Sequence, residues 1–138
     1  MKKNLIVLTL VVATIIIMLF LQGCDKIPRP YLKKWVGTYD CEEINRFWTM
    51  DGETQIYTFQ TTVIVTVTGD SLLTFLENRM GYSYEAEVDK NGNFFKSFGM
   101  GRGMSGNFIS DSINMEIGGG MQGYSSISTY KGIKIKNK

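Results

Sequence analysis

Residues 57–68 read YTFQTTVIVTVT, and this stretch indicates the fold class more strongly than any other in the chain. Aromatic and β-branched side chains fill most of its positions, and such residues pack well on a pleated sheet. Mostly apolar residues at odd positions alternate with mostly polar residues at even positions, which is the period of a half-buried strand. We therefore predict a long β-strand here, ended by Gly69-Asp70.

The same two-residue period continues through most of the chain. It places Trp35, Tyr39 and Cys41 on one face of a predicted strand. Residues 80–88 alternate in the same way, with apolar side chains at the even positions. After Trp35, no segment of normal helix length shows a period of 3.6 residues, so the pattern favours an all-β domain.

Short turn signals separate the predicted strands. Asp51-Gly52 marks one turn, and Asn91-Gly92 predicts a type I′ turn because both residues tolerate positive φ. Residues 106–117 predict a late hairpin about Asp111. About eight or nine short strands with short connections are expected in total. We predict a single antiparallel meander β-barrel of about eight strands, with a β-sandwich as the alternative, because closure removes exposed sheet edges.

The N-terminal segment has the pattern of a targeting signal. Lys2 and Lys3 precede an apolar run at residues 5–21, and LQGC follows at residues 21–24. A charged start, an apolar stretch and a small residue before the end define a secretory signal peptide. The LQGC segment resembles the lipobox of bacterial lipoproteins. This resemblance implies that Cys24 carries a lipid, such as palmitate, and becomes the mature N-terminus.

This interpretation sets the predicted domain boundaries. Residues 1–23 form the signal helix, 24–34 the lipidated N-terminus and tether, and 35–138 the β-barrel domain. An uncleaved membrane anchor is the alternative, although the apolar run falls short of the roughly 20 residues that span a bilayer comfortably. Both interpretations place the domain outside the cytoplasm, in the cell envelope, on the periplasmic face or the cell surface of a membrane.

Charge and composition exclude several classes of function. The chain has 15 Lys+Arg and 13 Asp+Glu, and removal of Lys2 and Lys3 with the signal leaves 13 of each. A neutral domain lacks the basic surface of a nucleic-acid binder. The chain has no histidine, which removes Ser-His-Asp catalysis and histidine-ligated metal sites. We expect no catalytic residues, no cofactor and no metal.

The two cysteines have different expected roles. A disulfide is the first expectation for a pair of cysteines outside the cytoplasm. If Cys24 carries a lipid through a thioether, however, it cannot form one. Cys41 is then predicted to be a small buried hydrophobic residue on its strand.

Three short segments carry a family resemblance: WVGTY at residues 35–39, GNFISDSI at 106–113 and YKGIK at 130–134. They are similar in position to the opening strand, a late hairpin and the closing strand of calycins. The chain thus resembles the small lipocalin-like lipoproteins of Bacteroidetes, which implies an eight-stranded antiparallel barrel and no particular ligand. It lacks the lipocalin arginine that stacks on the tryptophan, for which Lys131 or Lys134 would substitute.

Aromatic residues are numerous for one small domain. An eight-stranded barrel has room for core side chains or for one small ligand, so core filling and pocket lining both remain open. A buried tyrosine hydroxyl needs a partner, which a ligand could supply. The candidate ligand-lining residues are Tyr57, Phe59, Tyr82, Tyr84, Phe108 and Tyr124.

Two glycine-rich segments, residues 99–106 and 118–123, are predicted to be loops. A phosphate-binding loop is excluded because neither segment leads into a helix with a Lys-Ser/Thr pair. If both segments lie at one mouth of the barrel, their methionines would form an adaptable apolar rim.

These observations lead to two functional hypotheses. The first is a non-enzymatic, lipid-anchored envelope barrel that binds a small hydrophobic ligand. The second is an envelope protein–protein interaction module, such as an inhibitor or an accessory subunit of a surface complex. An open apolar cavity would favour the first hypothesis, and a contiguous exposed apolar patch would favour the second.

Overall fold

The computed structural model describes residues 29–121 and 124–135, and the predicted signal peptide and Cys24 lie outside this range. A short 3₁₀ helix precedes eight strands, and the described residues contain no α-helix. The 3₁₀ helix spans Pro30–Lys34. The strands are β1 Gly37–Thr49, β2 Thr54–Val67, β3 Leu72–Glu77, β4 Ser83–Val88, β5 Asn93–Gly99, β6 Arg102–Ile109, β7 Ser112–Met121 and β8 Tyr124–Lys134.

The eight strands form a closed antiparallel barrel in which each strand pairs with its neighbours in sequence. The barrel closes where β1 pairs with β8, from Tyr39 opposite Lys134 to Thr49 opposite Tyr124. The predicted all-β meander barrel is therefore confirmed, and the sandwich alternative is wrong. This architecture is consistent with the lipocalin-like fold that the sequence resemblance implies.

Strand alternation sorts side chains between the barrel interior and its outer wall. In β2 the odd residues from Thr61 to Val65 are buried, and the even residues between them are less buried. The same alternation buries Tyr39 and Cys41 in β1, as predicted. Because each strand contributes alternate residues, the buried apolar side chains form one cluster inside the barrel.

One end of the barrel is sealed, and we call it the closed end. The 3₁₀ helix lies there, with the β2–β3, β4–β5 and β6–β7 turns. Leu32 of the helix is fully buried, and Trp35 stacks on Phe108 with ring centroids 5.0 Å apart. The last residues of the predicted tether thus pack as a plug under the barrel. Lys34, rather than Lys131 or Lys134, places its Nζ over the Trp35 ring, 4.3 Å from the centroid.

The opposite end, called the open end, carries the β1–β2, β3–β4, β5–β6 and β7–β8 connections. β3 pairs with β2 only from Val63 onward, whereas β1 follows β2 as far as Thr54. The β1–β2 hairpin and its β8 neighbour therefore rise beyond the β3–β4 loop. Their inner face continues the barrel wall above the mouth.

Two local predictions are corrected by the backbone. Met80 and Tyr82 lie in a loop rather than a strand, because Gly81 adopts φ +71° and breaks the alternation. Asn91 does not have positive φ, so the β4–β5 turn is not type I′. Instead, Gly92 alone is left-handed, at φ +89°, and its N–H donates to Asp89 O at 3.0 Å. This arrangement is typical of a type I turn followed by a glycine bulge.

The glycine-rich segments are mostly strand rather than loop. Only the Gly99–Arg102 turn separates β5 from β6, and residues 118–121 complete β7. Gly106 lies beside the Phe94 ring and Asn114 O, where a Cβ atom would not fit. Glycine at this strand position therefore makes room for an aromatic core side chain.

Candidate functional site

The barrel interior is filled by large side chains. Tyr39, Phe75, Leu73 and Met104 are among the largest fully buried residues. The Phe75, Phe94 and Phe108 rings pack together with centroids 4.7 to 6.0 Å apart. The buried aromatic residues towards the closed end therefore fill the core. The outer surfaces of the barrel are therefore the candidates for recognition of a ligand or partner.

A polar network caps this apolar core just below the open end. Glu43 on β1 is 1% exposed and faces inward. Arg79 from the β3–β4 loop donates to Glu43 Oε2 from Nε at 3.0 Å and from Nη2 at 2.6 Å. Tyr130 on β8 donates its hydroxyl to Glu43 Oε1 at 3.2 Å. Both oxygens of this buried carboxylate therefore have partners.

A second buried carboxylate holds the β3–β4 loop in place. Glu77, also 1% exposed, accepts from Thr61 Oγ1 at 2.5 Å and from the backbone N–H groups of Arg79 and Met80 at 2.8 and 2.7 Å. These bonds fix the loop residue that pairs with Glu43. The two acids thus work together to fold the loop across the barrel mouth.

Burial and neighbouring charges raise the pKa values of Tyr130 and Arg79 in this network. Burial, and then the negative charge of Glu43, raise the pKa of Tyr130, so its hydroxyl stays protonated and donates. Burial alone would lower the pKa of Arg79, but the hydrogen bond and charge of Glu43 outweigh it and the pKa rises. Arg79 therefore remains a guanidinium that is tied to Glu43.

Arg79 also joins the network to exposed aromatic rings. Its guanidinium carbon lies over the Phe59 ring, 4.1 Å from the centroid. Phe59 in turn stacks near Tyr57, with centroids 6.4 Å apart and an interplanar angle of 19°. Both rings lie on the inner face of the β1–β2 hairpin, where Phe59 is opposite Glu43 and Tyr57 is opposite Asn45. They form an aromatic shelf above the mouth.

A second aromatic group lies on the other side of the β3–β4 loop. Tyr84 is half-buried at the top of β4, and its ring lies 6.3 Å from that of Tyr82 and 5.7 Å from that of Phe98. Burial raises the pKa of Tyr84. β4 and β5 share only two paired positions, Glu87 with Phe95 and Val88 with Phe94. The rings of Tyr84 and Phe98 occupy the upper part of this weak seam.

The candidate ligand-lining residues thus divide by position. Phe108 is buried in the closed half of the core and stacks on Trp35. The side chain of Tyr124 lies outside the described part of the structure, although its backbone pairs with Thr49. The other four candidates lie at the open end. With Phe98 they form a set that we call the aromatic rim: Tyr57, Phe59, Tyr82, Tyr84 and Phe98.

Flexible apolar side chains extend the aromatic rim. Met80 follows Arg79 in the β3–β4 loop and is half exposed, and Met100 at the tip of the β5–β6 turn is 85% exposed. The Gly101 turn approaches Gly120 of β7, so both glycine-rich segments lie at the same end of the barrel. Methionine packs adaptably against irregular apolar surfaces. The open end is therefore an aromatic surface with adaptable edges.

Pockets are found on the outside of the barrel. One pocket, about 590 Å³, lies at the closed end between Arg29, Ser71 and Lys90. Two others, about 320 and 360 Å³, lie on the outer wall of β6 and β7, beside Asn107 and Gly118 respectively. These are shallow surface features rather than an internal ligand chamber.

Sequence reasoning overlooked the polar cap of Glu43, Glu77 and Arg79. Strand alternation could have predicted that the two acids are buried, because Glu43 follows Tyr39 and Cys41 at inward positions. Glu77 follows Leu73 and Phe75 in the same way. An acid at an inward position predicts a buried partner. Arg79 carried no such signal, since it lies in a loop.

In residues 29–121 and 124–135, no three His, Cys, Asp or Glu side chains are grouped to hold a metal ion. No helix in the same part of the chain is long and apolar enough to cross a membrane. Burial raises the pKa of the Cys41 thiol to about 12, so that this free cysteine is a protonated core residue.

Comparisons of the chain with protein-family models, curated proteins and solved structures found no match.

Proposed function

We propose that this chain is a non-enzymatic binding protein of the cell envelope, anchored through lipid on Cys24, which binds a partner protein with its aromatic rim. Proteins use exposed aromatic and methionine side chains at interfaces more than elsewhere on their surfaces. The aromatic rim and its flanking methionines have this composition.

The observation that carries the proposal is the contrast between interior and mouth. The interior is packed with buried side chains, whereas Tyr57, Tyr82 and Met80 at the open end are each about half exposed. Large aromatic rings left in water are costly, and contiguous exposed apolar patches mark interaction sites. The surface at the mouth therefore favours a broad partner over a molecule enclosed within the barrel.

The polar cap gives this surface a rigid foundation. Arg79 is tied to Glu43, and Glu77 binds the backbone of the same loop. A loop fixed in this way presents Met80 and Tyr82 with little loss of conformational entropy on binding. Preorganisation of this kind is what a recognition surface requires.

The test uses rim variants of the full chain in its native envelope. Tyr57→Ser with Tyr82→Ser should reduce recovery of a co-purifying partner about tenfold or more, since central aromatic side chains commonly contribute ~2 kcal/mol to binding. The matched control is Leu76→Ser with Phe95→Ser, which removes exposed apolar side chains from the outer wall of β3 and β5. Equal recovery from both double variants would contradict the proposal.

A small apolar ligand is the second candidate, and the β4–β5 seam favours it. Tyr84 is half-buried there between the Tyr82 and Phe98 rings, so a slender apolar group could pack among them. Native mass spectrometry of the full chain extracted from membranes tests this candidate. A bound mass that is lost in Tyr84→Ala and Phe98→Ala would support it, and a ligand-free protein would argue against it.

The lipid anchor has its own test. Metabolic labelling with an alkyne analogue of palmitate should mark the wild-type chain and leave Cys24→Ala unlabelled. Cys41→Ala serves as the control, because the buried thiol should take no lipid. Label that persists in Cys24→Ala would show that the anchor is not at this residue.

A further inference from the structure

Three isoleucines on one flank of the closed end are exposed to solvent. Ile109 ends β6, Ile133 lies near the end of β8, and Ile135 follows that strand. Their exposed fractions are 58%, 67% and 47%. Single exposed apolar residues are ordinary, but a group of branched aliphatic side chains in one place points to a surface that becomes covered.

The sheet register places these side chains together. Ile109 pairs with Ser112, and Ser112 pairs with Ile133, so the three residues form one row across β6, β7 and β8. Ile133 shares its outward face with Ile135, two residues further along. The backbone of Ile135 is fixed by a bond from its N–H to Thr38 O at 2.8 Å. We call these three isoleucines, with Ser112, the isoleucine patch.

Charges of both signs surround the isoleucine patch. Lys134 donates its Nζ to Lys34 O at 3.0 Å, so the two lysines lie beside each other at the closed end. The described charged residues beside the patch include Lys34, Lys131, Lys134, Asp40, Glu42 and Asp111. The charges of these three lysines and three acids balance. Burial of the isoleucines is therefore the main contribution that the described residues offer to an association.

The chain itself identifies what lies near this end. Only four residues separate Cys24 from Arg29, which is bound at the closed end through its N–H to Asp70 O at 3.0 Å. The five Cα–Cα steps from Cys24 to Arg29 span at most about 18 Å when fully extended. A lipid on Cys24 therefore holds the closed end near the bilayer surface. This step rests on the proposed function, because it requires the anchor.

We propose that the isoleucine patch contacts the membrane surface, with the isoleucine side chains in the headgroup region and the aromatic rim pointing away. A lipid chain and an adjacent apolar surface cooperate in membrane attachment. The inserted chain already holds the surface at the bilayer, so that contact of the surface costs less entropy. The patch then sets the orientation of the barrel. The open end is presented to a partner rather than to lipid.

The test measures depth in a bilayer at single labelled positions. Full-length lipidated protein carries Ile133→Cys or Tyr82→Cys, labelled with an environment-sensitive fluorophore. The native Cys41 is buried and its raised pKa keeps it protonated, so it should remain unlabelled. The proteins are reconstituted in phosphatidylethanolamine–phosphatidylglycerol vesicles with a nitroxide lipid quencher. We expect quenching at position 133 to exceed quenching at position 82 severalfold; equal quenching, or more at position 82, would overturn the proposal.

A second measurement separates the isoleucines from simple proximity. With the fluorophore on Ser112→Cys, changing all three isoleucines to serine should reduce quenching severalfold. The matched control changes Met50, Ile56 and Met100, which are exposed at the open end, and should leave quenching at position 112 unchanged. Unchanged quenching in the triple isoleucine variant would also contradict the proposal.

Three further outcomes can be distinguished. A mass spectrum without lipid on Cys24 would refute the anchor in the proposed function, whereas lipid present without quenching at position 133 would refute only the orientation. Self-quenching of the position-133 label that rises with protein concentration in detergent would indicate that a second copy covers the patch. That result would overturn the membrane contact.

Discussion

Arg79 and Glu43 show at the residue scale how the mouth of the barrel is held. The Glu43 carboxylate is 1% exposed, while the Arg79 side chain keeps 30% of its surface in water. A carboxylate without its partner would be left in a medium of low polarity, which is costly. The ion pair is thus needed because of where Glu43 lies.

Arg79→Ala should lower the free energy of unfolding by about 1–3 kcal/mol, less than for a fully buried pair because Arg79 is partly exposed. Urea denaturation followed by tryptophan fluorescence measures this change. Glu43→Gln and the double variant complete the cycle, and the coupling energy should be ~1–2 kcal/mol. Strict additivity of the two changes would contradict a direct interaction.

Buried hydroxyl and thiol groups should make the barrel sensitive to alkali. Burial raises the pKa of Cys41 from 9.0 to about 12 and that of Tyr39 from 10.0 to about 12. Because the folded state holds these protons more tightly, their contribution is complete below pH 9.0 and is lost progressively as the pH rises towards about 12. The midpoint of urea unfolding should therefore fall over this window.

Cys41→Ala is the control for the alkaline effect. Its unfolding midpoint should fall less steeply with pH than that of the wild type, since one of the titrating groups is removed. An identical slope in both proteins would show that Cys41 does not contribute. Native Cys41 should also fail to react with Ellman's reagent until urea unfolds the barrel, since the thiol is fully buried.

Residue positions could be predicted from sequence where strand alternation decided them. Cys41 was expected to be buried, and it is. Tyr57 shares the inward parity of Val63, yet it is half exposed because β2 extends beyond β3 at that height. Alternation reports which face a residue occupies, whereas relative strand length decides whether that face is covered.

Gly106 illustrates, at the scale of a strand, how the core shapes its wall. A Cβ atom there would collide with the Phe94 ring and with Asn114 O, and the backbone oxygen cannot easily move. The glycine lets a ring pack against the backbone of β6. The composition of the strand is therefore explained by packing rather than by flexibility.

Gly106→Ala should destabilise the barrel by about 1–3 kcal/mol through overpacking. Gly69→Ala is the matched control, since its Cβ would meet only Leu72 at an ordinary contact distance of 3.4 Å or more. Thermal unfolding followed by circular dichroism compares the two variants. An equal melting temperature for both would contradict the packing role of Gly106.

The strands could be predicted well where apolar alternation was regular and poorly where glycine was frequent. β2, for example, contains nearly all of the strand predicted at residues 57–68 and ends at Val67, just before the predicted Gly69-Asp70 turn. Residues 102–106 and 118–121 lie in strands although their composition indicated loops. Gly103 pairs with Gly118 across β6 and β7, and residues 119–121 pair with β8. A side-chain pattern cannot indicate such backbone pairing where glycine has no side chain.

The whole molecule has two ends with different surfaces. The closed end carries the plug with Leu32, the start of the described chain and the isoleucine patch. The open end carries the aromatic rim above the pair formed by Arg79 and Glu43. Meander topology could be predicted from the number of strands and their short connections. The clustering of Tyr82 and Phe98 could not, because it depends on contacts between loops that are distant in sequence.

Site-specific photo-crosslinking in intact cells tests most directly whether the open end is the recognition surface. A benzoylphenylalanine residue would replace Tyr82 at the aromatic rim or, as a control, Glu116 on the exposed outer wall of β7. The account predicts a discrete protein adduct from position 82 that is absent from position 116. Adducts of equal yield from both positions, or an adduct from position 116 alone, would contradict it.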